Sequence, residues 1–298
     1  LNEETYENFW ELFRSIPSLE QPQRSVTEEI LNFDHAHPTC AHARLIDKDA
    51  KILDVRSMGF DNADRLAMTK LLLTPEERLD NMTIEDWFGP HFFETNFWYM
   101  WQTTFAFQKW SSLFEFRRYM NRMIFEFPRI ETLEGVTRTP YNQYESVILP
   151  LKAYLETNGV RFETGRTVTD IDFAPGEALT ATALHFADGS AVDLREGDVC
   201  IMTNACMTDS ATLGNLHAPA PAPERKPVSA ELWAKVAAKR PGLGNPEPFF
   251  GNVNESNWES FTVTCKGNRL LKMIENYSGN IPGSGALMTF KDSSWRMS

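Results

Sequence analysis

The chain has 298 residues, of which 42% are hydrophobic and 23% charged, and a formal net charge of −12. That length is enough for a sizeable core and predicts parts of two domains, while the acidic balance excludes nonspecific nucleic-acid binding, which depends on Lys and Arg against phosphate. No run of ~20 apolar residues and no leader-like pattern occurs, so the expectation is a cytoplasmic chain without a membrane-crossing helix, with room for peripheral membrane contact.

Tyr6, Phe9, Trp10 and Phe13 recur at helical spacing over residues 3–14, and Pro17 ends the pattern. The next segment, Asp34-His35-Ala-His37-Pro-Thr-Cys40-Ala-His42, carries side chains that suit zinc. Pro38 interrupts any helical face there and no distant cluster completes a site, so the segment reads as a polar connector and no metal is expected. Ala43 to Gly59 reads as two strands about a charged turn. Asn62 to Leu73 reads as a helix, Thr74-Pro75-Glu76-Glu77 as another turn, and Thr83 with Asp86 has capping-box spacing.

From Phe92 to Phe127 the pattern is helical throughout, lacks Gly and Pro, and is apolar on nearly every face. Such a stretch is either a core helix pair or the wall of a cavity. Trp98, Tyr99, Trp101, Phe105, Phe107, Trp110, Phe114 and Phe116 outnumber the aliphatics and keep the second reading open. Arg117 and Arg118 read as a solvated helix face.

A different architecture begins after Pro140. Glu145 to Thr157 is a helix that Asn158-Gly159 can end, and Val160-Arg-Phe-Glu163 follows as a strand. Thr167 to Phe173 alternates in period two, and Asp188-Gly189 joins Ala181–Phe186 to Ala191–Leu194 as a hairpin. Asp198 to Ala205 is a continuous apolar strand suited to a parallel sheet buried on both faces. Helix, buried strand, meander and apolar strand in that order match the dinucleotide-binding flavoproteins, whose ligands lie beyond the carboxyl ends of strands, here Thr203, Asn204 and Ala205. Ala218 to Pro227 is a Pro/Ala linker, Val228 to Lys239 a helix, and Phe261–Cys265 and Leu287–Phe290 are predicted strands.

Cys40, Cys200, Cys206 and Cys265 have no CxxC spacing and are expected to be reduced and mostly buried. His91, His185 and His217 stand alone, and no Ser or Cys occupies a nucleophile-elbow setting. Tyr141-Asn142-Gln143-Tyr144-Glu145 brings two phenols, two amides and a carboxylate beside the aromatic region. One reading makes it a helix N-terminus with Asn142 or Gln143 satisfying free backbone amides. The other uses a phenol to protonate an unactivated carbon while the amides hold a water or the phenol.

At these residues the chain resembles a known family. Phe105-Ala-Phe107-Gln108-Lys109-Trp110, Glu115-Phe-Arg-Arg-Tyr119, Tyr141-Asn-Gln-Tyr-Glu-Ser146, Asp198 to Gly214 and Phe290-Lys-Asp-Ser-Ser-Trp295-Arg-Met-Ser298 are similar to the oleate hydratases, also called myosin-cross-reactive antigens. The resemblance implies an α/β, Rossmann-like two-dinucleotide-binding flavoprotein fold with a helical and mixed substrate domain. It also implies FAD, a long-chain unsaturated fatty acid as substrate, a homodimer, and water addition across a cis double bond without net redox change. It assigns the alkene-protonating tyrosine to Tyr141, with Tyr144 in reserve, substrate or water positioning to Asn142 and Gln143, and contact with FAD to Val168, Thr203, Asn204 and Ala205. The water-activating glutamate belongs to a Gly-rich Arg-Gly-Gly-Arg-Glu-Met segment with no match here. Where the family carries Thr-Asn-Gly-Ser this chain has Thr203-Asn204-Ala205-Cys206, a loss of glycine that crowds the flavin if the backbone there needs positive φ.

Leu1 in place of Met and a strand-like, uncapped end lead to the expectation of an internal piece, incomplete at both ends, with the glutamate and a GxGxxG loop upstream. Residues 1–139 are then a substrate-binding region, 140–215 part of the FAD domain, and 216–298 a continuation of the substrate domain. A flavin-dependent oxidoreductase of the amine-oxidase or desaturase type and a non-catalytic lipid-binding module are the alternatives.

Overall fold

The computed structural model describes residues 1–204, 206, 208–222, 227–257 and 259–293. Ala205, residues 223–226 of the Pro/Ala linker, and the final motif from Ser294 to Ser298 lie outside them. The chain is a mixed α/β protein with small sheets, and it divides into two units, one of Leu1–Val160 with Thr264–Ser298 and one of Arg161–Val263.

The first unit opens with α1 (Glu7–Arg14) and α2 (Val26–Ala36), whose Trp10, Phe13, Val26 and Ile30 close with Ile16 into a small core. Ser25 starts α2 with a reciprocal capping box: its Oγ accepts from the Glu28 amide, and Glu28 accepts from the Ser25 amide. A two-residue strand β1 (Leu45–Ile46) then turns back through Ile52, so the expected strand pair survives in shortened form. α3 (Asn62–Leu73) spans the residues expected of it and is capped by Asp61 and Asp64, and α4 (Ile84–Trp87) by Thr83 and Asp86.

The long aromatic stretch departs from expectation. It splits into α5 (Asn96–Phe105) and α6 (Leu113–Arg122), because Ala106 takes a left-handed conformation at φ 62° and Ser112 caps a new helix. Glycine is the usual residue at such a stop, so its absence hid the break. Most of the aromatics are core: Phe92, Phe97, Trp98, Trp101 and Phe116 are buried, with Phe88 stacked on Phe92 at 3.8 Å between centroids and Phe116 edge-on to Trp101 at 5.6 Å. Trp110 is exposed instead.

Arg117 also differs from its reading as a solvated residue. Its Nε donates to the Leu71 carbonyl and its guanidinium pairs with Glu76 at 3.1 Å, while Arg118 pairs with Glu76 at 2.9 Å. The C-terminal end of α3 leaves carbonyls unpaired, and a cation there satisfies both the hydrogen bonds and the helix dipole. Beyond residue 143 a π-helical turn, Tyr144–Ile148, runs into α7 (Leu149–Thr157), which ends at Asn158 and Gly159 as expected.

In the second unit β2 (Val168–Phe173), β3 (Ala181–Phe186) and β4 (Ala191–Asp193) form the predicted antiparallel meander, turning at Gly189 with φ 81°. The expected helix α8 (Val228–Lys239) lays Leu232 and Val236 against Ile171 of β2, and Lys239 reaches Asp170 and Asp172 at 2.7 and 3.1 Å. Short helices α9 (Glu247–Phe250) and α10 (Val253–Ser256) follow.

Three of the segments read as strands, among them the one suited to a buried parallel sheet, are not strands. Val160–Glu163, Asp198–Asn204 and Phe261–Cys265 are irregular, and Val199 and Ile201 are 83% and 81% exposed. A buried parallel strand needs neighbouring strands for its backbone hydrogen bonds and covering layers on its two faces, and no described strand pairs with any of the three. The same departure exposes Cys200, Cys206 and Cys265; with Cys40 in the connector loop, all four cysteines are free but exposed rather than buried.

The chain returns to the first unit with α11 (Arg269–Ser278) and β5 (Thr289–Phe290), the latter parallel to β1 with Leu45 opposite Thr289. Arg44 secures this return from inside. Its guanidinium is almost fully buried and donates to the carbonyls of Ile130 and Leu287 and to the Thr104 hydroxyl, and burial pushes its pKa down to about 10. Among the described residues no helix is long and apolar enough to cross a membrane.

Candidate functional site

The Tyr141–Ser146 segment begins as a capped turn. Asn142 Oδ1 accepts from the Glu145 amide at 3.0 Å, its Nδ2 donates to the Glu145 carboxylate at 3.0 Å, and its carbonyl accepts from the Ser146 amide at 2.9 Å. Ser146 is buried, and its Oγ accepts from the Tyr141 amide at 3.1 Å. Val147, Leu151 and Tyr154 pack on the core of α1 and α2 and so fix the inner face of this helix. The outer face carries Tyr144 and Ile148, with Tyr141 at the turn before it; the two tyrosines are 48% and 59% exposed in sequence order.

The geometry bears out the helix-terminus reading of this segment. Asn142 does the work of a helix N-terminus, with its amide occupied by Glu145. Tyr141, Gln143 and Tyr144 are exposed. A phenol in that position can pass a proton to a group brought against it.

A cavity of about 190 Å³ lies elsewhere in the same unit. Its wall combines the ends of α5 and α6 with the N-terminal residues and the segment 130–136: Leu1, Tyr6, Trp101, Phe105, Met123, Ile130, Leu133 and Val136 supply apolar surface, and Asn2, Thr104, Glu126 and Arg129 are the polar members. The Glu126 carboxylate accepts from Asn2 Nδ2 at 2.5 Å and from Arg129 at 2.7 Å, and Arg129 also reaches Glu4 at 3.2 Å. Gly135 lies against that carboxylate so closely that a Cβ would collide with it. The aromatic excess pointed to Trp101 and Phe105. Nothing in the pattern pointed to the other lining residues, which come from separate stretches of chain.

Two histidines thought isolated have partners. His91 Nδ1 lies 2.7 Å from Asp64 and 3.5 Å from Asp61, and His185 Nε2 lies 2.7 Å from Asp172. Asp61, Asp64 and His91 group their ligand atoms within 4.8 Å, but both carboxylates already cap α3, which explains their positions fully.

The residues expected to contact FAD do not fit it by themselves. Val168 opens β2, Thr203 is exposed, Asn204 Nδ2 donates to the Ser229 carbonyl at 3.1 Å, and Ala205 is outside the described residues. They offer a hydroxyl and one amide already engaged. A dinucleotide also needs backbone amides at a glycine-rich turn opening a helix, and the chain contains no G-x-G-x-x-G turn.

Comparison with known proteins places the whole chain in one group. A family model described as the MCRA family matches residues 1–298. The chain is 42% identical to a linoleate hydratase of Lactiplantibacillus plantarum over 97% of its own length and 53% of that protein, and 32% identical to an oleate hydratase of Streptococcus pyogenes serotype M49 over 99% and 52%. The chain thus spans about half the length of the curated relatives it matches.

Proposed function

Because the chain belongs to the MCRA family, we propose that the complete enzyme adds water across the cis double bond of a long-chain unsaturated fatty acid, converting oleate to 10-hydroxystearate. The observation that carries this reading is the 42% identity, along nearly the whole chain, to a protein named linoleate hydratase.

Tyr141 is the proposed acid, with Tyr144 in reserve. Its phenol donates a proton to one alkene carbon, and the cation developing on the neighbouring carbon is captured by water as a base removes the water's proton. A phenol is suited to this step because it is an uncharged donor that can meet an apolar chain and release its proton as the alkene accepts it. Gln143 is proposed to hold the water or the phenol, while Asn142 sets the backbone from which they project. The glutamate base is assigned to the half of the relatives that this chain does not span. So is the phosphate cradle for FAD, within a Rossmann-like fold in which residues 140–215, with Val168, Thr203, Asn204 and Ala205, supply part of the wall. A homodimer with peripheral membrane contact is the proposed assembly, fatty acids being drawn from lipid surfaces.

Incubating the complete enzyme with oleate in ¹⁸O-water should place the label in the product hydroxyl, and Tyr141→Phe should lower the rate by ~10²-fold or more. An unlabelled hydroxy acid, or no hydroxy acid, overturns the hydratase reading; label with unchanged turnover in the variant moves the acid to Tyr144.

A further inference from the structure

We propose that the cavity between the ends of α5 and α6 and the 130–136 segment is the subsite for the methyl-end segment of the acyl chain, and that its lining sets chain-length preference. The inference rests on the hydratase reading for its substrate class. Size comes first: an apolar cavity of ~150 Å³ holds benzene, so one of about 190 Å³ holds an alkyl segment of about seven or eight carbons. A cis-9 chain of oleate type carries about that many beyond its double bond.

Lining comes next. Tyr6, Trp101, Phe105, Met123, Ile130 and Val136 offer carbon surface, while Glu126 is occupied by Asn2 and Arg129. Arg129, the cationic member of the lining, is already paired with Glu126 and Glu4 and leaves no unmatched positive charge for an ionised carboxyl group, so the methyl end is the end that enters. Position agrees as well. Val136 is five residues before Tyr141, and five residues span at most ~18 Å, which sets an upper bound on the distance from the cavity rim to the proposed acid.

The test uses cis-9 monoenoic acids of 14, 16 and 18 carbons, which differ only on the methyl side, with the complete enzyme. Val136 is 37% exposed, so Val136→Phe narrows the cavity from its rim without disturbing closed core. Each methylene expelled weakens binding about fourfold. The variant should lose about tenfold or more in kcat/KM for the 18-carbon acid and stay within about twofold for the 14-carbon acid, with the same ranking in calorimetric Kd. Met123→Trp, from a different element, should shift the ranking in the same direction and carries the test if the first variant fails to fold by circular dichroism. Equal losses for all three acids, or no loss, overturn the subsite. If the wild-type enzyme makes no hydroxy acid, the hydratase reading has failed instead, and the Kd ranking still decides the subsite.

Discussion

His91 shows how a single side chain reports on a helix start. The hydrogen bond to Asp64 raises its pKa above the ordinary 6.5, since the carboxylate favours the imidazolium. A group with a raised folded pKa stabilises the fold fully below its unfolded value and loses that contribution as pH climbs through the folded one. His91→Gln should therefore lower the urea midpoint at about pH 6 and make progressively less difference toward pH 9. An equal deficit at both ends of that range would mean that the ring acts by packing alone. The pairing was invisible in sequence because Asp64 and His91 are 27 positions apart; only the fold of α3 against the segment after α4 joins them.

Apolar spacing made α1, α3 and α8 legible, while α2 was not expected although its start carries a signal. Ser25, Asp61 and Thr83 each precede an acidic residue three positions on, and all three begin helices with reciprocal caps, of which only the Thr83 box was read in the sequence. The meander was equally plain, since Asp188-Gly189 supplies the turn and alternation supplies the strands. The stop at Ala106 had no such signal. An alanine held at φ 62° opposes its own Cβ, so Ala106→Gly should stabilise the first unit by about 0.5–1 kcal/mol, measured as a shift in the thermal or urea midpoint. A loss of stability would show that the alanine methyl is worth more in packing than the backbone strain costs. The proposed acid segment was legible as a motif, yet its geometry was not: which amide serves the backbone follows from Asn142 bonding Glu145.

At the scale of the molecule, local pattern carried the elements and distant pairing decided which of them became sheet. Leu45 meets Thr289 across nearly the whole chain, and Arg44 joins three separate stretches through two carbonyls and a hydroxyl. No window of sequence contains such partners. The apolar stretch from Asp198 to Asn204 is the converse case: its composition is that of a strand, and none of the described residues pairs with it.

That unpaired stretch has a practical consequence for anyone handling the chain by itself. Val199 to Thr203 is an uncharged run of high β-propensity whose Val199, Cys200 and Ile201 are open to solvent, the composition from which intermolecular cross-β contacts nucleate. Sedimentation of the purified chain should show concentration-dependent self-association under reducing conditions, and Ile201→Lys should suppress it by placing a gatekeeper charge within the run. Association undiminished by that charge would locate the adhesive surface elsewhere, with α11 and its exposed Leu271, Met273 and Ile274 the next surface to alter.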